Sequence, residues 1–432
     1  MLSHILKRGY CTITNNNKIY DVTIIGAGIV GMATARELKL QYPDFKVMVV
    51  EKENEFAKHQ SSHNSGVIHC GIYYKPGSTR AKLCAKGSEM MIDYCKSKSI
   101  AHEQCGKLIV ATKKEELEPL EILFNRGKEN GVKDLQMISR KDINKYEPYI
   151  DGGIKAIYCP TTGIVNYKHV TASYVNDFKE LGGELKLNFN VKNIDYSNVD
   201  KLVRVSDGNE TIQSRYLITC AGMYSDRVSK MTDSESVEPS IVPFRGSFMK
   251  FKSEYSHLIK GNVYPVPNPQ FPFLGIHFTK KVSGDIWLGP NAVLAFHREG
   301  YSYKDISLQD LKEMITHGGL LKLSAKHWKF GARELARDIF NGMFIQYLKP
   351  YMTNITEDMI EYAGSGVRSQ AISQDGNLIE DFIFDQPPNL PILHVRNSPS
   401  PSATSSLAIS KEILSRFNST FFPDTSSSKI IK

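Results

Sequence analysis

The feature that most constrains the fold is a glycine-rich turn between a short apolar strand and a helix. The strand is Asp21–Ile25, the turn is Gly26-Ala-Gly28-Ile-Val-Gly31, and helical spacing continues to Leu40. A second apolar strand, Phe45–Val50, completes the pattern of a βαβ unit. In such a turn the first glycine permits the bend, the second lets a pyrophosphate approach the backbone, and the third lets helix and strand pack. The pattern predicts a Rossmann-like dinucleotide-binding domain.

An acidic residue and three later segments extend this prediction to the cofactor. Glu51 lies twenty residues beyond Gly31, where a carboxylate accepts hydrogen bonds from the adenosine ribose and repels the 2′-phosphate of NADP. The loop Ser61–Gly66, the strand Leu217–Gly222 and the segment Pro399–Thr404 each suit a return to the same ligand. Because a long flavin dinucleotide is contacted at more places than NAD, the returns predict FAD. The predicted cofactor-binding residues are Gly26, Gly28, Ile29, Val30, Gly31, Glu51, Lys52, Ser61, Ser62, His63, Asn64, Ser65, Gly66, Val191, Ala221, Gly222, Ser402, Ala403 and Thr404.

Composition and charge exclude several classes of protein. No apolar run approaches the roughly 18 residues that a spanning helix needs. The formal charge of +8 is spread along the chain without a block of Lys and Arg, which argues against a nucleic-acid partner and is compatible with an anionic substrate. The seven cysteines form no CxxC or Cys/His spacing, so no metal site is predicted.

The order of the segments predicts a mixed α/β (α+β) chain made of two interleaved parts. A discontinuous Rossmann-like FAD-binding domain is expected over residues 19–105, 150–238 and 355–420. A substrate-binding domain, rich in antiparallel β-structure, is expected over residues 106–149 and 239–354, because the region from Ile241 to Leu294 has short β-type runs among Pro, Phe and Gly.

The two ends of the chain differ from this pattern. Residues 1–18 contain Lys7 and Arg8 and no acid, and Leu2, Ile5 and Leu6 share one helical face. This composition is typical of a mitochondrial transit peptide. Residues 421–432 are expected to be a flexible tail.

Several longer segments give the chain a specific resemblance to a known family. The segments are His63–Pro76, Cys105–Ala111, Cys159–Val165, Ile241–Gly246, Gly261–Pro267, Phe271–Thr279, Trp287–Phe296, Gly366–Gln370 and His394–Pro401. In them the chain resembles the D-amino-acid-oxidase-type FAD-dependent oxidoreductase superfamily, and within it the L-2-hydroxyglutarate dehydrogenase family. One departure is that serines and prolines replace the superfamily's usual glycine-rich C-terminal FAD loop.

The resemblance implies a reaction and its partners. The expected reaction is oxidation of L-2-hydroxyglutarate to 2-oxoglutarate by hydride transfer from C2 to flavin N5. Electrons would pass on to a quinone or an electron-transfer flavoprotein, with peripheral association with the inner mitochondrial membrane. The apolar run Phe340–Leu348 fits either a membrane-facing surface or core packing.

Oxidation of a hydroxy acid needs a base for the hydroxyl proton and cations for the carboxylates. A neutral imidazole suits the first role, and His277 and His69 are alternative candidates. Arginine holds a carboxylate with two parallel hydrogen bonds, so Arg245 and Arg368 are the leading candidates for the small dicarboxylate. Further substrate-binding candidates are Arg396, Lys107, Tyr74 and Tyr264.

Two other functions remain compatible with these residues. One is an FAD-dependent amine or amino-acid oxidase of the same superfamily, which would release peroxide. The other is a flavoprotein without catalytic activity that serves as a scaffold.

Overall fold

In this computed structural model the described residues are 18–232, 238–267 and 274–423. The predicted transit peptide, apart from Lys18, and residues 424–432 of the predicted tail lie outside them. The strands are β1 (Ile19–Ile25), β2 (Val47–Val50), β3 (Val67–Ile68), β4 (His102–Glu103), β5 (Lys107–Ala111), β6 (Gln136–Ser139), β7 (Lys155–Cys159), β8 (Gly163–Val165), β9 (Glu184–Lys186), β10 (Asn193–Ser197), β11 (Leu202–Ser206), β12 (Thr211–Thr219), β13 (Ser240–Phe251), β14 (Asn262–Pro265), β15 (His277–Lys280), β16 (Ile286–Gly289), β17 (Val293–Leu294), β18 (Ile360–Ile372), β19 (Leu378–Ile379), β20 (Ile383–Asp385) and β21 (Ile392–Asn397). The helices are α1 (Ile29–Gln41), α2 (Thr79–Ser97), α3 (Leu117–Glu129), α4 (Arg140–Tyr146), α5 (Tyr167–Glu180), α6 (Ser225–Lys230), α7 (Leu308–Thr316), α8 (Gly318–Ile339), α9 (Asn341–Leu348) and α10 (Ser406–Phe421).

The first sheet of the described residues has eight strands and a parallel centre. Strands β9, β2, β1, β12 and β21 run parallel in that order, and β10, β11 and β20 add antiparallel neighbours. Val22 of β1 pairs with Val47 on one side and with Tyr216 on the other. The chain therefore extends the sheet first on one side of β1 and then on the other. Such a switch point opens a crevice at the carboxyl ends of the strands, where dinucleotides bind.

Helices cover one face of this sheet and close its core. Helices α1, α2, α5 and α10 contribute buried side chains to one apolar cluster with β1, β2 and β21. The last helix, α10, continues to Phe421. The ring of Phe422 lies 5.4 Å from that of Tyr216. The expectation of a flexible tail from residue 421 is therefore wrong for these two residues, whose rings pack against the sheet.

The second sheet of the described residues has ten strands and forms the substrate-side lobe. Its order is β19, β18, β13, β16, β15, β14, β5, β7 and β6, with β17 also paired to β13. All of its pairs are antiparallel except β14 with β5. The expectation of an antiparallel sheet over residues 241–294 is confirmed.

Two boundaries of the predicted domains differ from the sheets. Strand β7 pairs with β5 and β6, and β18 pairs with β13 from Ser240↔Ile372 to Phe251↔Ile360. Both strands therefore belong to the second sheet, although residues 150–238 and 355–420 were expected to be part of the FAD-binding domain. The difference arises because pairing between distant strands leaves no local signal in composition.

Helices α7, α8 and α9 lie on the outside of the second lobe. Leu320 of α8 and Met314 of α7 pack into a small apolar cluster with β13 and β18. In α9, Phe344, Ile345 and Leu348 are buried in the lobe's core, whereas Phe340 just before it is 60% exposed. Among the described residues no helix is both long enough and apolar enough to cross a membrane.

Candidate active site

The glycine turn closes tightly against the end of β12. Gly26 has a φ of +105°, and a Cβ on it would lie 2.4 Å from the carbonyl oxygen of Cys220. A Cβ on Gly31 would lie 1.9 Å from the carbonyl oxygen of Gly26. Gly28 precedes α1 without a side-chain cap, and the N–H of Ile29 donates to Ser61 Oγ at 2.9 Å. A helix start of this kind offers unpaired N–H groups and partial positive charge to a phosphate.

A cavity of about 820 Å³ begins at this turn and runs between the two sheets. Each segment that was predicted to contact the cofactor contributes residues to its lining. The predicted cofactor residues in its lining are Gly26, Gly28, Ile29, Val30, Gly31, Glu51, Lys52, Ser61, His63, Asn64, Ser65, Val191, Ala221, Gly222, Ser402, Ala403 and Thr404. Segments separated by more than three hundred residues therefore meet around one elongated space.

Two predicted cofactor residues do not line the cavity. Ser62 directs its hydroxyl to the backbone of its own turn, donating to the carbonyl oxygen of Lys58 at 3.1 Å. Gly66 has a φ of +76°, and a Cβ there would lie 2.7 Å from the carbonyl oxygen of Val165. Both residues shape the Ser61–Gly66 loop from behind, and their neighbours face the cavity.

Glu51 stands at the carboxyl end of β2 and also organises the turn. Its Oε2 accepts from the N–H of Ala27 at 2.8 Å, and its Oε1 accepts from the N–H of Glu53 at 3.1 Å. These bonds hold the carboxylate at the edge of the cavity, the position predicted for a ribose contact. Lys52 is paired with Glu53 and Glu299, so its charge is balanced within the protein.

The segment before α10 connects the cofactor cavity to one of the candidate histidines. Thr404 Oγ1 accepts from the N–H of His69 at 3.2 Å and lies 2.8 Å from the hydroxyl of Tyr167. The side chain of Ser402 also stays within its own turn, since Ser402 Oγ donates to the carbonyl oxygen of Pro399 at 2.5 Å. Loop and helix start are thereby fixed together at this end of the cavity.

His277, His69 and Tyr264 also line this cavity. The rings of His277 and Tyr264 lie 3.9 Å apart between centroids, on the neighbouring strands β15 and β14. His277 Nδ1 is 2.8 Å from the carbonyl oxygen of Gly275. A carbonyl only accepts, so Nδ1 carries the proton and Nε2 keeps its lone pair in the neutral ring. His69 Nδ1 is buried without a hydrogen-bond partner among the described residues.

Burial keeps both imidazoles in the neutral form. It lowers the pKa of His69 to about 3, and the charges of Lys107 and Arg368 act in the same direction. It lowers the pKa of His277 to about 4, partly offset by the bond to Gly275 and reinforced by the same two cations. A neutral imidazole can accept a proton, so either ring meets the requirement for a base.

The two leading arginine candidates differ in position. Arg368 lines the cavity, and burial, with Arg80 nearby, lowers the pKa of its guanidinium. Arg245 does not line the cavity: its buried guanidinium pairs with Asp338 of α8 and lies 3.7 Å from the ring centroid of Tyr303. Arg245, expected to bind the dicarboxylate, therefore lies outside the cavity that contains the two candidate histidines.

The remaining substrate-binding candidates also differ in whether they line the cavity. Arg396 lines the cavity, but its guanidinium donates to Asp385 at 3.1 Å and to the carbonyl oxygen of Glu238 at 2.8 Å. Lys107 and Tyr74 lie outside the lining. The Nζ atom of Lys107 is buried without a hydrogen-bond partner among the described residues, 5.1 Å from the ring centroid of Tyr264. Lys107 therefore influences the site through its positive charge, which lies beside Tyr264 and outside the cavity lining.

Some residues of the cavity were missed by sequence reasoning. Phe248 and Asn291 line the second-sheet wall, and Gln60 and Tyr167 line the cofactor end. Asn291 lies in the segment Trp287–Phe296, one of those that resemble the family, so this resemblance could have indicated it. Tyr167 follows β8 as an ordinary helix start, and nothing local distinguishes it.

Together the fold and the site define a class of protein. A dinucleotide cradle on a parallel sheet faces His277 and Arg368 of the second sheet, and His69, which follows β3, lines the same cavity. The chain belongs to the FAD dependent oxidoreductase family, whose family model matches residues 21–416.

Curated relatives narrow the similarity within that family. The chain is 58% identical over 416 residues to mitochondrial L-2-hydroxyglutarate dehydrogenase of Dictyostelium discoideum, covering 93% of each chain. It is 47% identical over 405 residues to the human protein of the same name, covering 90% of this chain and 87% of the relative.

Solved structures support the fold. The L-alpha-glycerophosphate oxidase of Mycoplasma pneumoniae, solved with FAD bound, superposes with a TM-score of 0.75 at 23% identity, over 93% of this chain and 95% of that one. An L-amino acid deaminase from Proteus myxofaciens gives 0.68 at 15% identity, over 93% of this chain and 90% of that one. At such identities the likeness concerns the fold alone.

The residues present suit FAD, the cofactor of the family. A phosphate needs the close backbone approach that a glycine turn allows, and the cavity volume lies within the usual range for ligand sites, about 300–1,000 Å³. We propose that the cavity-lining residues of the glycine turn, Glu51 and the Ser402–Thr404 segment hold it.

Gly31→Ala tests this assignment. We expect the purified variant to lose most of its FAD and to be less stable by about 1–3 kcal/mol, because its Cβ would overlap the Gly26 carbonyl oxygen. The flavin-to-protein absorbance ratio and thermal unfolding measure both effects. Gly331→Ala is the control, since nothing lies within 4 Å of a Cβ there. Full flavin content in Gly31→Ala would contradict the assignment.

Proposed function

We propose that this chain is a mitochondrial FAD-dependent dehydrogenase that oxidises L-2-hydroxyglutarate to 2-oxoglutarate. The observation that carries the proposal is 58% identity, over 93% of both chains, to a relative named for this activity. The site supports it, because neutral imidazoles and a buried guanidinium share one end of the cavity. These groups suit a substrate that must lose a hydroxyl proton and that carries negative charge.

We assign the roles of the residues from their contacts. FAD, when bound, supplies the acceptor for the hydride that leaves C2 of the hydroxy acid. His277 accepts the hydroxyl proton at Nε2, because its Nδ1 is committed to the Gly275 carbonyl oxygen. Arg368 binds a carboxylate, which offsets the repulsion between its own charge and that of Arg80. His69 is the second imidazole of the pocket and the alternative base.

Lys107 and Tyr264 support these groups from the second sheet. The Lys107 ammonium adds positive charge beside the site, which favours a dianion and disfavours a protonated imidazole. Tyr264 packs against the His277 ring and limits its rotation. Binding the substrate in one orientation brings C2 to the cofactor, a gain in position rather than in reactivity.

We propose a quinone or an electron-transfer flavoprotein as the final electron acceptor. A membrane quinone would require the enzyme to associate peripherally with the inner mitochondrial membrane. The acceptor is identified by comparing, after reduction with substrate, the rate of reoxidation by a soluble quinone, by electron-transfer flavoprotein and by oxygen.

Anaerobic mixing of the purified holoenzyme with candidate substrates tests the proposed reaction. We expect L-2-hydroxyglutarate to bleach the flavin absorbance, and the D enantiomer and 2-hydroxypentanoate, which lacks the distal carboxylate, to do so much more slowly. Bleaching by amines or amino acids with no response to the hydroxy acid would instead identify an oxidase of the same superfamily.

The pH dependence of kcat/KM is a second consequence of the site. The base works in its neutral form, and its pKa is lowered, so activity is retained as the pH falls through the ordinary imidazole range. We expect kcat/KM to stay level from about pH 7 to about pH 5 and to fall towards a pKa of about 4 rather than about 6.5. Circular dichroism at each pH provides the control, because neutral buried imidazoles also make the folded state less stable below about pH 6.5. A midpoint near 6.5 in folded enzyme would mean that neither buried histidine is the base.

A further inference from the structure

Helix α8 exposes a row of apolar side chains to solvent. Its 22 residues form two helical segments that meet at a kink at His327, where φ is −119° and ψ is 20°. Apolar side chains recur every three or four residues on both sides of the kink, the spacing of one helical face within each segment, and all are exposed. This α8 stripe consists of Leu321, Ala325, Trp328, Ala332, Leu335 and Ile339. Trp328 is 63% exposed and Ile339 55%, so in the described part of the chain the protein itself does not cover the stripe.

A row of positive charge runs beside the stripe. This basic flank consists of Lys322, Lys326, Lys329 and Arg333, each one position after a stripe residue. Lys322 lies 3.8 Å from Asp375, but the other three have no carboxylate within 4 Å among the described residues. The acidic residues of α8, Glu334 and Asp338, lie on its inner side in pairs with arginines.

The inner face of α8 is attached directly to the cavity. Asp338 Oδ1 accepts from Asn291 Nδ2 at 2.7 Å, and Glu334 Oε2 accepts from the N–H of Ala292 at 3.3 Å. Asn291 and Ala292 both line the cavity. The exposed stripe is therefore separated from the cavity wall by roughly the thickness of one helix, about 10 Å. Arg245 serves the same attachment through its pair with Asp338.

We propose that α8 lies flat on an anionic phospholipid surface, with its stripe in the interface and its basic flank on the headgroups. An apolar face with an adjacent row of Lys and Arg is the pattern of helices that bind in the plane of a membrane. The same charges repel an equivalent stripe of a second copy. They also repel residues 1–17 of this chain, which carry Lys7 and Arg8 and no acid. The proposal rests on the proposed function, because binding to the membrane would bring the enzyme to a membrane quinone as its electron acceptor.

Vesicle co-sedimentation of the full-length holoenzyme tests the proposal without substrate. We expect binding to vesicles of phosphatidylcholine mixed with phosphatidylglycerol, weaker binding in high salt, and little binding to phosphatidylcholine alone. Trp328→Ser combined with Leu335→Ser should weaken binding about tenfold or more by removing inserted apolar area. Lys326→Glu combined with Lys329→Glu should do the same by reversing the charge.

Matched controls separate this surface from general hydrophobicity. Ile122→Ser on α3 and Val199→Ser between β10 and β11 remove side chains that are 52% and 96% exposed elsewhere, and should leave binding unchanged. Dye reduction by 2-hydroxyglutarate in solution should be equal in all variants, since none is in the site. If the unmodified enzyme bound vesicles but did not reduce the dye with 2-hydroxyglutarate, the proposed reaction would be refuted and the proposed membrane surface would stand.

Three results would overturn the proposal. The first is equal binding by the stripe variants and the controls. The second is binding that does not depend on the anionic lipid. The third is a soluble dimer, detected by sedimentation velocity, that the Trp328 and Leu335 substitutions dissociate, because the stripe would then belong to an interface between copies.

Discussion

His277→Gln is expected to lower kcat about 10²–10⁴-fold, the range that a positioned base contributes. Glutamine is close to histidine in size and keeps a group that can donate to the Gly275 carbonyl oxygen, but it has no basic nitrogen. The variant should therefore keep its FAD, and its KM should change little, because the carboxylate is bound by Arg368. Steady-state kinetics with a dye acceptor measure kcat and KM, and the flavin spectrum of the variant measures its FAD content.

His69→Gln is the matched comparison, since both imidazoles are buried, neutral and in the lining of the cavity. The bond between His277 Nδ1 and Gly275 fixes the tautomer of His277, whereas His69 Nδ1 has no such partner among the described residues. We expect His69→Gln to raise KM more than it lowers kcat. If instead kcat collapses in His69→Gln and survives in His277→Gln, the two roles must be exchanged.

The pH dependence of kcat/KM should also distinguish the two variants. The acid limb of the kcat/KM profile, expected near the His277 pKa of about 4, should disappear in His277→Gln and remain in His69→Gln. A variant that was merely misfolded would lose activity at every pH and keep the limb.

Most of the residues that line the cavity around the glycine turn could be predicted from sequence because their signals are local. The glycine turn, the acid at the end of β2 and the Ala221-Gly222 end of β12 each follow a strand directly. Carboxyl ends of parallel strands meet at one edge of a sheet, so these segments had to converge once the βαβ unit was assigned. The exceptions, Ser62 and Gly66, differ from their neighbours only in which way the loop turns, which composition does not encode.

The substrate half depends on strand register, which is not local. Phe244 of β13 pairs with Arg368 of β18, and both line the cavity. Arg245 is the next residue on β13, and successive side chains on a strand point to opposite faces. Its side chain therefore meets Asp338 of α8 instead. A shift of one residue in the register of β13 would have turned Arg245 towards the cavity and Phe244 away from it, and the sequence around Pro243–Gly246 is compatible with either register.

The arginine that reaches the cavity should determine the affinity for the substrate. We expect Arg368→Lys to raise KM for L-2-hydroxyglutarate about 10–100-fold, since a hydrogen bond to a charged group contributes about 1.5–3 kcal/mol and lysine cannot make the paired contact. The decrease in kcat should be smaller, and should come from looser orientation of C2. Substrate titrations followed by dye reduction give both constants.

The identity of the carboxylate that Arg368 binds follows from a second substrate. 2-Hydroxypentanoate has the same chain length as 2-hydroxyglutarate but lacks the distal carboxylate. If Arg368 binds the carboxylate beside C2, Arg368→Lys should weaken both substrates by a similar factor. If it binds the distal one, Arg368→Lys should weaken only 2-hydroxyglutarate, and the preference for 2-hydroxyglutarate over 2-hydroxypentanoate should shrink accordingly.

Arg245→Lys provides the control for this experiment. Its guanidinium is buried against Asp338 and Tyr303 outside the cavity, so the substitution should leave KM unchanged and lower the melting temperature. An unchanged KM in Arg368→Lys together with a raised KM in Arg245→Lys would mean that the register of β13 against β18 does not select the substrate-binding arginine. With the expected result, the dicarboxylate is bound by the arginine that shares the cavity face with Phe248 and the two histidines, because their strands pair in the register observed.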